Sequence, residues 1–189
     1  MAIHRSAIIT TRSARETARL GHFLAGSLRS RHVIALIGGL GSGKTILTQA
    51  IARYLGVRRP VKSPTFVLIA SHTATRTGVS TLFHVDCYRV RRLTGSDRAA
   101  IMEAIEMPHS VTLIEWADRI PSVLAHVPQR RLSTISIAVA GTHARRLSVT
   151  GALTGSARKW ATAHPSSVPV PAVQPVICSP GRRRPCAHS

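Results

Sequence analysis

Gly38-Gly39-Leu40-Gly41-Ser42-Gly43-Lys44-Thr45 fits Gly-x-x-x-x-Gly-Lys-Ser/Thr at every position. These are the residue types a polyphosphate requires. Glycines let the backbone turn so that successive N–H groups face phosphate oxygens. A helix starting where the loop ends adds the positive end of its dipole. The Lys44 ammonium can reach the β- and γ-phosphates, and the Thr45 hydroxyl can ligate Mg²⁺. The flanks agree: an apolar run, Val33–Ile37, precedes the loop, and an amphipathic stripe follows it. The pattern points to a nucleotide site with ATP and Mg²⁺. No Asn-Lys-x-Asp base-reading motif and no Asp-x-x-Gly switch follow, which leaves ATPases and small-molecule kinases.

Phosphoryl transfer also needs carboxylates, and they are scarce. Against 26 Lys plus Arg there are 7 Asp plus Glu, and all but Glu16 lie between Asp86 and Asp118. Asp86 closes the run Leu82–Asp86, and Glu115 closes Val111–Glu115. The carboxyl end of a buried strand would set either one near the phosphates. Either could hold Mg²⁺ or orient the attacking water, and the sequence alone does not divide the two roles. Trp116 follows Glu115 directly. Ser63-Pro64-Thr65-Phe66 forms a hydroxyl-bearing loop after the P-loop helix, where a switch segment could fold over the γ-phosphate.

These side chains need a scaffold. Ser13 and Glu16 have capping-box spacing, and Leu20, Phe23, Leu24 and Leu28 follow at helical period, so a helix is expected over 14–29. Ile46, Leu47, Ala50, Ile51, Tyr54 and Leu55 mark the helix after the loop, with Gly56 at its C-terminal cap. Strands are expected at 33–37, 66–70, 82–85 and 111–114, with a helix between Arg98 and Glu106. Leu132–Val139 alternates as a strand, and Arg146–Val149 can pair back across a turn at 140–143. Alternating strands and helices imply an α/β layered fold with a mostly parallel central sheet and a C-terminal hairpin.

Composition bounds the rest. The 189 residues suffice for one domain with a real core, expected over 1–155. Six of the eleven prolines lie after residue 154, and no acid does, so 156–189 is expected to be a disordered basic tail. The formal charge is +19, and residues 1–155 keep +14, from 21 basic against 7 acidic. Such charge suits a nucleic-acid partner, but only 4% aromatic residues poorly equip a single-strand stacking platform. Three cysteines without metal spacing imply free thiols in a cytoplasmic protein and no structural metal. No apolar run is long enough to span a bilayer.

Taken in order, Gly38–Thr45, Val61–Phe66, His84–Arg89 and Ile114–Trp116 resemble the blocks of the TsaE (YjeE) family. That family comprises P-loop ATPases of bacterial tRNA threonylcarbamoyladenosine biosynthesis. The resemblance runs from about residue 14 to 150. It implies a small α/β ATPase that works with TsaD and TsaB and meets tRNA through that complex. It also implies Lys44 and Thr45 as phosphate and Mg²⁺ contacts and Thr65 as the switch-like hydroxyl. Asp86 and Glu115 would be the catalytic or metal-binding carboxylates, with Trp116 beside the nucleotide. Gly39 departs from the family, which commonly has an acidic or polar residue there. Two other readings share the loop. A small-molecule or nucleoside kinase could use Arg89, Arg91 and Arg92 as a lid, and a basic nucleic-acid-binding module could use the nucleotide as a regulator.

Overall fold

The computed structural model describes residues 6–61, 68–76 and 78–165. Seven strands form one sheet in the order β1-β7-β6-β2-β5-β4-β3. They are β1 (Ala7–Thr11), β2 (His32–Ile37), β3 (Ile69–Arg76), β4 (Val79–Asp86), β5 (Ser110–Glu115), β6 (Leu132–Val139) and β7 (Arg145–Gly151). The helices are α1 (Ala14–Ala25), α2 (Lys44–Tyr54), α3 (Gly95–Glu106), α4 (Pro121–Leu124) and α5 (Thr154–Ala163). The middle of the sheet is parallel, with β2 between β5 and β6 and β4 beside β5. Antiparallel pairs close both sides: β6–β7 and β7–β1 on one, β4–β3 on the other.

β2 shows why the sheet is central. Val33 to Leu36 are fully buried, and alternate residues enter different cores. Ile34 and Leu36 join Leu20, Leu24, Leu47 and Ile51 beneath α1 and α2. Val33 and Ala35 join Ile101, Ile105 and Val123 beneath α3 and α4. A strand covered on both faces must be apolar at consecutive positions, as this one is. Burying each such aliphatic side chain contributes about 1.5–3 kcal/mol, so this strand anchors the loop that leaves its carboxyl end.

Local signals set the helix ends. Ser13 Oγ accepts the Glu16 N–H at 3.1 Å, and Glu16 reaches back to the Arg12 N–H at 2.8 Å. The helix stops at Ala25 rather than 29, where Gly26 caps it. Thr94 and Asp97 form a full capping box, which starts α3 at Gly95, three residues before the expected Arg98. Gly56 lies just past α2 with φ +80°, and a Cβ there would collide with Thr75 Oγ1. Thr75 and Arg76 also donate their N–H groups to Leu55 O, at 2.9 and 3.2 Å. Replacing Gly56 by alanine therefore combines left-handed strain with a clash in the α2–β3 junction. The expected loss is about 2–4 kcal/mol in urea unfolding; a loss under about 0.5 kcal/mol would refute the account.

Three expectations change. The tail does not begin at 156, because residues 154–163 form α5. Leu153, Ala157 and Trp160 are buried in the core beneath α1, with Ala161 packed against it; the spacing i, i+4, i+7, i+8 makes one apolar face. The strand expected at 66–70 runs instead from Ile69 to Arg76, and its first expected residues, 66 and 67, lie outside the described residues. β1 was not expected at all. It inserts Ala7, Ile9 and Thr11 into the core while Ile8 stays exposed. Among the described residues no helix is long and apolar enough to cross a membrane.

Candidate functional site

The P-loop joins the carboxyl end of β2 to the first turn of α2. Three of its glycines have positive φ: Gly38 (+154°), Gly41 (+70°) and Gly43 (+106°). A Cβ at Gly38 would lie 2.5 Å from Ile137 O and 2.8 Å from Ser42 Oγ, so only glycine fits between loop and β6. At Gly39 and Gly41 a Cβ would meet nothing, which leaves an open backbone surface. Leu40, at the tip, is 80% exposed, whereas Ser42 and Lys44 are buried. The Lys44 ammonium bends back to donate to Gly38 O and Gly39 O at 2.7 and 2.9 Å. It also stands 3.8 Å from the centre of the Trp116 ring. Burial draws its pKa below the ordinary lysine value, against the opposing pull of Glu115, Asp86 and Asp118.

Glu115 and Asp86 are register partners at the ends of adjacent parallel strands β5 and β4. Their surroundings differ. Glu115 is almost wholly buried and accepts from three side chains. Thr45 Oγ1 donates to its Oε2 at 3.1 Å, while Thr48 Oγ1 and His84 Nε2 meet its Oε1 at 3.1 Å each. Burial alone would raise its pKa, but bonding to His84, then to Thr48 and Thr45, outweighs burial and holds it below the ordinary carboxylate value. Asp86 is half-buried, and its Oδ1 accepts the Tyr88 N–H at 2.9 Å. Both carboxylates line a cleft of about 950 Å³ together with Leu40, Gly41, Gly43, Lys44, Thr45 and Trp116.

The cleft continues past the loop to Tyr88, Arg89, Arg91, Arg92 and Asp97. Trp116 takes a left-handed conformation (φ 57°), which turns its ring under Lys44 and 5.0 Å from Tyr88. Arg119 lies over both rings and donates to Tyr88 O, which fastens the segment after Asp86. Cys87 is buried beneath it, and its thiol is pushed up to about 12 chiefly by burial.

Each residue expected at the site therefore reaches the loop or the cleft, except Thr65, which lies outside the described residues. Sequence reasoning missed Thr48 and His84 on Glu115, and Arg145 behind the loop. Thr48 lies one helical turn after Thr45, and His84 precedes Asp86 by two on the same strand face. Those two spacings were readable signals. Arg145 offered none.

The donors offered around Thr45 suit a hard cation. A hydroxyl and carboxylate oxygens are the ligands Mg²⁺ takes when substrate phosphates and water complete its shell. Among the described residues no group of three or more His, Cys, Asp or Glu converges into an all-protein metal cage. The open backbone at Gly39 and Gly41 leaves room for phosphate oxygens.

A family model described as "Threonylcarbamoyl adenosine biosynthesis protein TsaE" matches residues 11–147. The tRNA threonylcarbamoyladenosine biosynthesis protein TsaE of Mycobacterium leprae is 33% identical over 125 residues, 64% of this chain and 78% of the relative. That of Streptomyces coelicolor is 34% identical over 145 residues, 76% and 93% of the two chains. The crystal structure of YdiB from Bacillus subtilis superimposes with a TM-score of 0.64 at 27% identity, covering 87% of this chain and 99% of YdiB. The matched span contains the P-loop, both carboxylates and the five strands β2 to β6 entire. The chain belongs to the TsaE family of threonylcarbamoyl adenosine biosynthesis proteins.

Proposed function

We propose that the protein is a Mg²⁺-dependent ATPase of the tRNA threonylcarbamoyladenosine machinery, acting in the cytoplasm with TsaD and TsaB. The observation that carries this reading is the bond from the Thr45 hydroxyl to Glu115. It joins the P-loop threonine to a strand-end carboxylate, the pairing that would share one Mg²⁺ in P-loop enzymes. Bound Mg²⁺ would neutralise charge on the transferring phosphoryl group. Glu115 and Thr45 would hold it, and Lys44 would leave the Gly38 and Gly39 carbonyls for the β- and γ-phosphates. Asp86, less buried and with one carboxylate oxygen on the Tyr88 N–H, is left to orient the attacking water. Gly38–Gly43 would supply N–H groups to the phosphates, with Leu40 at the cleft mouth and Trp116 beside the nucleotide. Thr65 would be the hydroxyl of a switch segment.

The experiment is phosphate release from ATP by wild type and Asp86→Asn, each with and without TsaB and TsaD. Stimulation of the wild type and loss of about 10²-fold or more in the variant are expected. Undiminished stimulated turnover in Asp86→Asn would remove that residue from the reaction. One observation favours a second reading: Arg89, Arg91 and Arg92 line the cleft, where a kinase lid would stand. Phosphate appearing on an acceptor, instead of free in solution, would mark that reading.

A further inference from the structure

The β6–β7 hairpin reaches the P-loop from behind. Arg145, the first residue of β7, pairs with Val139 of β6 and with Thr11 of β1, so its backbone is fixed from both sides. Its guanidinium spans two chain segments. Nε donates to Ser42 O at 3.0 Å and Nη2 to Gly41 O at 3.2 Å. Nη1 donates to Ala144 O at 2.9 Å and Gly141 O at 3.3 Å, both in the hairpin turn. One edge of the planar fork thus grips consecutive loop carbonyls while the remaining nitrogen holds the turn. Ile137 O, from β6 of the same hairpin, closes on Gly38 at the other end of the loop.

We infer that Arg145 is a positioning residue for nucleotide phosphate, acting through the backbone of the P-loop. The inference rests on the reading that this loop holds a nucleotide. In a trans peptide the N–H points opposite the preceding C=O. Holding Ser42 O toward Arg145 therefore turns the Gly43 N–H away from it, to the cleft side that Gly43 lines. Gly41 and Gly43 both have positive φ, so this stretch has backbone freedom that an external clamp must remove. The guanidinium is fixed by the turn before any ligand arrives, and its charge lies under a loop meant for an anion. Preorganisation of this kind lowers the ordering cost of binding. Lysine cannot replace it fully, since one ammonium has no fork to span two carbonyls and a turn.

The test is binding of ADP and ATP to the full chain, wild type against Arg145→Lys, Arg145→Gln and Arg145→Met. Titrations run below every variant's unfolding temperature, and Tm is measured in parallel. The expected result is a Kd raised by about tenfold or more in the Gln and Met variants and by less in the Lys variant. KM for ATP should rise by more than kcat falls. A purely structural arginine would lower Tm and leave the Kd of folded protein in place, and that outcome overturns the proposal. So does a Lys variant as weak as Met. Wild type that binds neither nucleotide would overturn the nucleotide-site reading and this proposal together, whereas wild-type-like binding by the variants overturns this proposal alone.

Discussion

Glu115→Gln is expected to lower Mg²⁺-dependent ATP turnover by about two to three orders of magnitude while the protein stays folded. The substitution keeps shape and nearly all volume. A carboxamide oxygen can still accept from His84 or Thr48, and its NH₂ can donate to a threonine hydroxyl, which also accepts. Packing around a residue that is 2% exposed therefore survives. The negative charge does not, and the charge is what a shared divalent ion requires. The bonds to His84, Thr48 and Thr45 hold the carboxyl ionised despite burial, so at neutral pH the wild type presents a carboxylate. Phosphate release across a Mg²⁺ titration, with Tm as control, checks the result. The variant should also need more Mg²⁺ to reach half its own maximal rate. Turnover within threefold of wild type at ordinary Mg²⁺ would exclude Glu115 from the metal site.

That separation of Glu115 from Asp86 shows where sequence stops being informative. Both were legible as strand-end carboxylates, because acids are rare here and each closes an apolar run. Their difference depends on what crosses from α2 and β4, namely Thr45, Thr48 and His84. Tertiary contacts of that kind leave only faint periodic traces. The parallel core was readable for the converse reason: β2, β5 and the helices around them are mostly apolar where they are covered. Elements at the edges carried less signal. β3 is an edge strand whose side chains are mostly polar and at least partly exposed, so His72 to Arg76 shows little apolar alternation. β1 is short and set among arginines. α5 was hidden by the proline-rich stretch after it, although Leu153, Ala157 and Trp160 already define its buried face. Arg145 lies more than a hundred residues from the P-loop carbonyls it holds, and no local pattern announces such a contact.

Lys44→Met should abolish the preference for nucleotides carrying β- and γ-phosphates, with ATP affinity falling by about 10²-fold and AMP affinity by less than about threefold. The ammonium lies over the Trp116 ring, and the methionine thioether can replace it with a sulfur–aromatic contact to that face. Only the ammonium is removed. Without nucleotide, that ammonium is satisfied by Gly38 O and Gly39 O, so binding must exchange two neutral carbonyls for phosphate oxygens. The exchange is favourable because charge-assisted bonds to an anion outweigh bonds to neutral oxygen. It also relieves an ammonium whose charged form burial disfavours. AMP brings no β- or γ-phosphate to make that exchange, and it should lose little. Calorimetric titration of ATP, ADP and AMP into wild type and variant measures the pattern. Equal losses for all three nucleotides would mean that Lys44 shapes the loop instead of reading the distal phosphates. Lys44→Arg separates charge from reach: it keeps the cation over Trp116, but its bulk cannot settle between the same two carbonyls. Its ATP affinity should lie between those of wild type and the methionine variant. The ordering Lys, Arg, Met is then a direct reading of how much of the loop's selectivity is carried by one positioned ammonium.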